Sequence, residues 1–184
     1  MSWDLYLFRL ANGFANQYGG LDVLGVFAAV FLLPLVGFLI IPAAFTIKRL
    51  KEEHWYELPL KAFCAGALAY GARTIIGALV ERPRPFLALS DMHLLVSPEP
   101  SPAFPSGHAS VAFALAFTVF THDRDWGIAL FILAGLVAVG RVFVGVHYPL
   151  DIIAGALLGC ASGWVVHWLE RREWSKLERA LRVR

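Results

Sequence analysis

Apolar residues in this chain fall in long blocks, and neither the alternation of a half-buried strand nor the narrow stripe of a soluble amphipathic helix recurs along it. Blocks run from Leu21 to Ile47, Leu58 to Val80, Pro105 to Thr121, Trp126 to Val146, and Pro149 to Leu169. A helix needs about 20 residues to cross a bilayer. The pattern therefore predicts an all-α polytopic membrane bundle of about five transmembrane helices, as a single domain. Pro34 and Pro42 predict a kinked or shortened first span, because each lacks a backbone donor. Before it, Trp3, Leu5, Phe8 and Leu10 alternate with Asp4, Arg9, Asn12 and Asn16, which predicts an interfacial helix within residues 1–20. Residues 21–169 form the expected bundle, and residues 170–184 a basic cytoplasmic tail.

Composition agrees. Hydrophobic residues make up 58% of the 184 and charged residues 16%, against about 25% charge in soluble domains. That excludes an ordinary soluble enzyme and a disordered chain. A formal net charge of +2 gives no reason to expect nucleic acid. Cys64 and Cys160 sit in apolar runs without metal-ligand spacing, so neither a zinc site nor a disulfide framework is expected. Of the sixteen Lys and Arg residues, eleven fall in three groups: Lys48 to Lys61, Arg124, and Arg171 to Arg184. Five spans put all three groups on one side, which the positive-inside rule makes cytoplasmic. The N-terminus, the segment 81–104 and the turn at His147 then face outward.

The remaining charges gather on that outward face. Arg82 and Arg84 close the second span, Arg73 lies within it, and Arg141 lies near the outer end of the fourth. Ionisable groups in a membrane segment are expensive and are functional candidates by default. Structural ion pairs, Arg73 with Glu81 or Arg141 with Asp151, are the alternative. The third span opens Pro105-Ser106-Gly107-His108: a proline for the first turn, a serine cap, and a glycine that lets a ligand reach the backbone. Such a helix start is an anion site. His147 stands four residues before Asp151, a spacing at which the carboxylate can orient one ring nitrogen and leave the other to attack or accept a proton.

Arg84-Pro85, then Pro105-Ser106-Gly107-His108, then Arg141-x5-His147-x3-Asp151 together resemble the three-part signature of the type 2 phosphatidic acid phosphatase superfamily, and most of all its bacterial undecaprenyl pyrophosphate phosphatases. The resemblance implies that His147 attacks phosphorus, Asp151 orients it, and His108 is acid and then base. It implies that Arg84, Arg141, Ser106 and Gly107 hold the phosphoryl oxygens, and that neither metal nor other cofactor is needed. A polyprenyl pyrophosphate is the implied substrate. Another lipid phosphate, or a dead lipid-binding or transporting member, is the alternative. Two positions depart from the family pattern. Gly77 stands where its first motif has lysine, and Gly140 where serine usually precedes the arginine. Arg73, one turn deeper than Gly77, is the expected substitute, with Arg82 as a second candidate. Apolar residues between Phe86 and Phe104 suggest either a lid over the site or packing between helix ends. Gly155, Gly159 and Gly163 predict close helix packing within the bundle. The sequence leaves open whether the protein is a monomer or a dimer.

Overall fold

A computed structural model describes residues 2–47 and 55–182, without the side chains of 173–182. The expected basic group Lys48, Arg49 and Lys51 lies outside the described residues, as do the side chains of most of the C-terminal tail. Eight helices and no strand occur among the described residues: α1 (Trp3–Asn12), α2 (Gly19–Val30), α3 (Leu32–Thr46), α4 (Glu57–Val80), α5 (Pro85–Ala88), α6 (Gly107–Phe120), α7 (Arg124–Phe143) and α8 (Pro149–Arg182).

Helices α4, α7 and the Pro149–Arg172 part of α8 are each long and apolar enough to cross a membrane. The first apolar block is two helices, α2 and α3, bent by 57° at Phe31. Pro34 explains the break, since its missing N–H cannot bond the carbonyl of Val30, whereas Pro42 sits inside α3 without ending it. The third block is shorter than expected. Its helix α6 has 14 residues, about 21 Å at 1.5 Å per residue, less than the hydrocarbon thickness. It is instead the centre of the bundle, packed against α3, α4, α7 and α8. Ala109, Ala112, Ala114 and Ala116 are all fully buried, and their small side chains let neighbouring helices approach α6 closely.

Large apolar residues turn outward around this centre, among them Phe38, Phe63, Leu79, Ile132 and Leu157. That inversion is what a lipid environment asks for. The glycine stripe of α8 seats it on α6. A Cβ at Gly155 would lie 2.7 Å from the Ser106 carbonyl oxygen, and one at Gly159 would lie 2.3 Å from that of Ser110. At the other end of the bundle, Lys61 pairs with Glu57 at 2.8 Å and Glu170 at 2.7 Å, tying α4 to α8.

Candidate active site

The end of the bundle where α4 finishes and α6 and α8 begin collects the candidate residues. Asp151, in the first turn of α8, is fully buried. Its Oδ2 accepts the Tyr148 N–H at 2.8 Å and its Oδ1 accepts from Arg82 at 2.6 Å. Its backbone carbonyl receives the Ser106 N–H at 3.0 Å, so the start of α6 hangs from the start of α8. Arg82 also donates to Asp4 of α1 and lies 4.2 Å above the Tyr148 ring. Asp4 in turn accepts the Leu150 N–H at 2.8 Å. Arg82 is thus held by two carboxylates, Asp4 and Asp151.

His147 sits in the turn between α7 and α8. Gly145 makes that turn possible: its φ is +87°, and a Cβ there would fall 2.3 Å from the His93 carbonyl oxygen. The His147 Nδ1 is 3.6 Å from Asp151 Oδ2, beyond hydrogen-bond length, and has no other partner. Burial pushes the imidazole down to about 4, against the pull of Asp151 and with the help of Arg84 and Arg141. The ring is therefore neutral at physiological pH.

Ser106 caps α6, its hydroxyl accepting from the Ala109 N–H at 3.5 Å. Gly107 follows, and a Cβ there would press on Arg73 Nε at 3.3 Å. Arg73 does not pair with Glu81. It donates to the carbonyls of Pro105 at 3.3 Å and Pro102 at 3.0 Å, bracing the turn that carries Ser106, Gly107 and His108. His108 lies within electrostatic reach of Arg84, Arg141, Glu99 and His147.

Arg84 and Arg141 are almost wholly buried. Arg84 is fixed from behind, donating to the carbonyls of Ser101 at 2.7 Å and Val146 at 3.3 Å. Arg141 does not pair with Asp151. Both arginines meet the carboxylate of Glu99, Arg84 at 2.9 Å and Arg141 through its other oxygen. Arg141 Nε is buried without a partner.

Three residues of this end were not read from the sequence. Glu99 is the most consequential; its signal was an acid between Pro98 and Pro100 in the outward segment that also carries the arginines Arg82 and Arg84 at its start. Asp4 was read as a polar position of an interfacial helix. Asn12 ties α1 to both the loop and α7, donating to the carbonyls of His93 at 2.7 Å and Phe143 at 2.8 Å. The loop's apolar residues Leu94, Leu95 and Val96 pack with Phe143, Val144 and Val146 between helix ends. Among the described residues no three His, Cys, Asp or Glu side chains gather as a metal site.

The fold is that of membrane phosphatases, and residues 59–175 match the PAP2 superfamily model. The chain belongs to the PAP2 superfamily. It is similar to the undecaprenyl-diphosphatase of Sulfolobus acidocaldarius, with 32% identity over 163 residues, covering 86% of this chain and 74% of that protein. It is also similar to the bacitracin transport permease protein BcrC of Bacillus licheniformis, with 29% identity, 88% of this chain and 77% of that one. The crystal structure of Aquifex aeolicus LpxE superimposes with a TM-score of 0.73 at 29% identity, over 90% of this chain and 95% of that chain. The protein is a multi-pass membrane hydrolase of lipid phosphates.

Proposed function

We propose that this protein hydrolyses undecaprenyl pyrophosphate to undecaprenyl phosphate through a phosphohistidine on His147, without a metal. The observation that carries this reading is the convergence of Arg84, Arg141, the α6 start with His108, and the His147–Asp151 pair at one end of the bundle. In the first step the imidazole nitrogen facing away from Asp151 attacks the terminal phosphorus. The bond from phosphorus to the bridging oxygen breaks, and His108 gives its proton to the departing undecaprenyl phosphate. Asp151 stabilises the positive charge left on the ring. In the second step His108 takes a proton from water, whose oxygen attacks the phosphohistidine and releases orthophosphate. Arg84, Arg141 and the Ser106–Gly107 turn hold the equatorial oxygens, where charge concentrates.

The site end faces the periplasmic or extracellular side in this reading. Lys61, Arg171 and Arg172 mark the opposite, cytoplasmic end, with the C-terminus. A lipid pyrophosphate has its head at the interface and its tail in the bilayer, and the bundle offers a place for both. An apolar groove of about 440 Å³ lies between α3, α4 and α6, lined by Gly37, Ala62, Gly66, Tyr70, Val111 and Leu115 among others. Tyr70 and Gly66 are three and seven residues below Arg73, and Val111 and Leu115 are three and seven below His108. At that spacing they share a helix face with the site residues above them.

The first test is phosphate release by purified protein in detergent with EDTA. Undecaprenyl pyrophosphate should be preferred over its monophosphate, phosphatidic acid and phosphatidylglycerol phosphate. Activity spread over glycerolipids would overturn the substrate. No release from any lipid would favour a binding or transporting protein, the reading to which Gly77 in place of lysine lends weight. A second test fills the groove. A Cβ at Gly37 would meet nothing within 4 Å, so Gly37→Leu adds bulk without strain. Displacing two methylenes of tail costs about 1.6 kcal/mol, or about tenfold. The KM for undecaprenyl pyrophosphate should rise by about that factor, while short, water-soluble farnesyl pyrophosphate is used as before. Equal effects on both would remove the tail from the groove.

A further inference from the structure

The phosphate site is filled by the protein's own chain. Glu99 places one carboxylate oxygen on Arg84, at 2.9 Å, and the other on Arg141. These side chains are 1% and 3% exposed, whereas that of Glu99 is 35% exposed. A carboxylate bridging two guanidinium groups in this way presents the same pair of anionic oxygens as one edge of a phosphoryl group. Burial works to raise the Glu99 pKa, but Arg141, its hydrogen bond and Arg84 outweigh it and hold the carboxyl down at about 2. The group is therefore an anion under all working conditions.

The chain around Glu99 is built to hold this carboxylate in place and to let it leave. On one side Leu95 donates its N–H to the Val144 carbonyl at 3.2 Å. On the other Ser101 is gripped by Arg84 through both its carbonyl and its hydroxyl, and Ala103 donates to the Arg82 carbonyl at 2.9 Å. Between those anchors, residues 96–100 form no helix, and no backbone hydrogen bond of the described loops runs to them. Pro98 and Pro100 flank Glu99 and lack the N–H to make one. Withdrawing the carboxylate leaves both anchors and both arginines where they are.

We propose that Glu99 is an internal competitor for the phosphate site, which the substrate's phosphoryl group must displace and which displaces orthophosphate after turnover. This rests on the reading of Arg84 and Arg141 as phosphate ligands. The cost of expelling the carboxylate is the same for every substrate. It therefore lowers the apparent affinity for pyrophosphate and monophosphate heads alike. The same competition helps empty the site once the phosphohistidine is hydrolysed, because a returning carboxylate neutralises the arginines as the product leaves.

The test compares the parent protein with Glu99→Gln, and with Glu99→Ala in case the amide retains a neutral contact. Orthophosphate is titrated against thermal unfolding of the purified proteins in detergent and chloride-free buffer, a readout independent of turnover. Both variants should be stabilised at orthophosphate concentrations about tenfold or more below that needed by the parent, the scale of losing charge-assisted hydrogen bonds to a competitor. kcat/KM for undecaprenyl pyrophosphate and for its monophosphate should rise together in the variants, leaving their ratio as in the parent. Equal phosphate midpoints would overturn the competitor while leaving the phosphate site intact. A changed substrate ratio would overturn a cost common to all substrates. Stabilisation of none of the three proteins would overturn the phosphate site itself, and the competitor with it.

Discussion

Replacing His147 with alanine is expected to lower turnover at least about 100-fold and to abolish any phosphorylated form of the protein. The effect follows from where the imidazole stands. Its Nδ1 is 3.6 Å from an Asp151 carboxylate already committed to Arg82 and the Tyr148 N–H, so the acid is fixed and the ring is what moves. Catalytic hydrogen bonds commonly tighten only when substrate is bound. Of the two histidines near Arg84 and Arg141, His147 has the Asp151 carboxylate beside its ring. Phosphate release from undecaprenyl pyrophosphate and acid-quench trapping of labelled protein would measure the two consequences, and near-parent turnover would end the assignment. The pH dependence has a definite sign. With the folded imidazole held down at about 4 by burial, the neutral nucleophile persists through the physiological range. Formation of the phosphohistidine should lose rate only as the pH falls through about 4. The same depression makes this group a destabilising influence in acid. Between its ordinary value of 6.5 and about 4, the unfolded chain takes up a proton that the folded site refuses.

Gly159→Leu should prevent a stable bundle from forming. A Cβ at this position would lie 2.3 Å from the Ser110 carbonyl oxygen and 2.9 Å from the Ala114 nitrogen, both backbone atoms of α6. No rotamer relieves a backbone collision. Overpacking a core costs typically about 1–3 kcal/mol when side chains can shift, and here two helices must separate. Because Ser106 hangs from Asp151 across the same interface, separation also pulls the candidate cap from the candidate acid. Detergent-solubilised yield and thermal unfolding would read the loss. Gly135→Leu is the matched control, since a Cβ there meets nothing within 4 Å. Equal behaviour of the two variants would mean that the α6–α8 contact is not what holds the bundle together.

What the chain disclosed in advance depended on how local each signal was. Four of the five apolar blocks became helices long enough to span, or a bent pair that is, because length and hydropathy are properties of one segment. Pro34 marked the bend for the same reason. The short α6 was harder to foresee. Its run of alanines fits a helix surrounded by other helices, and such burial is a property of the assembled bundle. His108, His147 and Asp151 were legible through fixed spacing, and the structure brings all three to one end. The partners of the arginines were not. Arg73 was weighed against Glu81, and Arg141 against Asp151, from proximity along the chain or across one turn. The structure gives Arg73 two carbonyls of the 102–105 turn and gives Arg141 the distant Glu99. A carboxylate forty-two residues away announces itself only once the loop is folded back. Arg82 was one of two candidates for the missing lysine, and only folding shows it engaged by Asp4 and Asp151.

The link from Asp4 to the Leu150 N–H joins residues 146 positions apart. A ribosome makes α1 first and the opening turn of α8 nearly last. Throughout synthesis Asp4 therefore waits, without Leu150 or Asp151, while the intervening spans enter the bilayer. α1 cannot take its final seat beside Tyr148 until α8 has been inserted. The acid that steadies the rear of the site is thus engaged late in assembly, and a chain stalled before α8 holds His147 but has neither Asp151 nor the Leu150 N–H. The last span to be made completes the surroundings of the first helix.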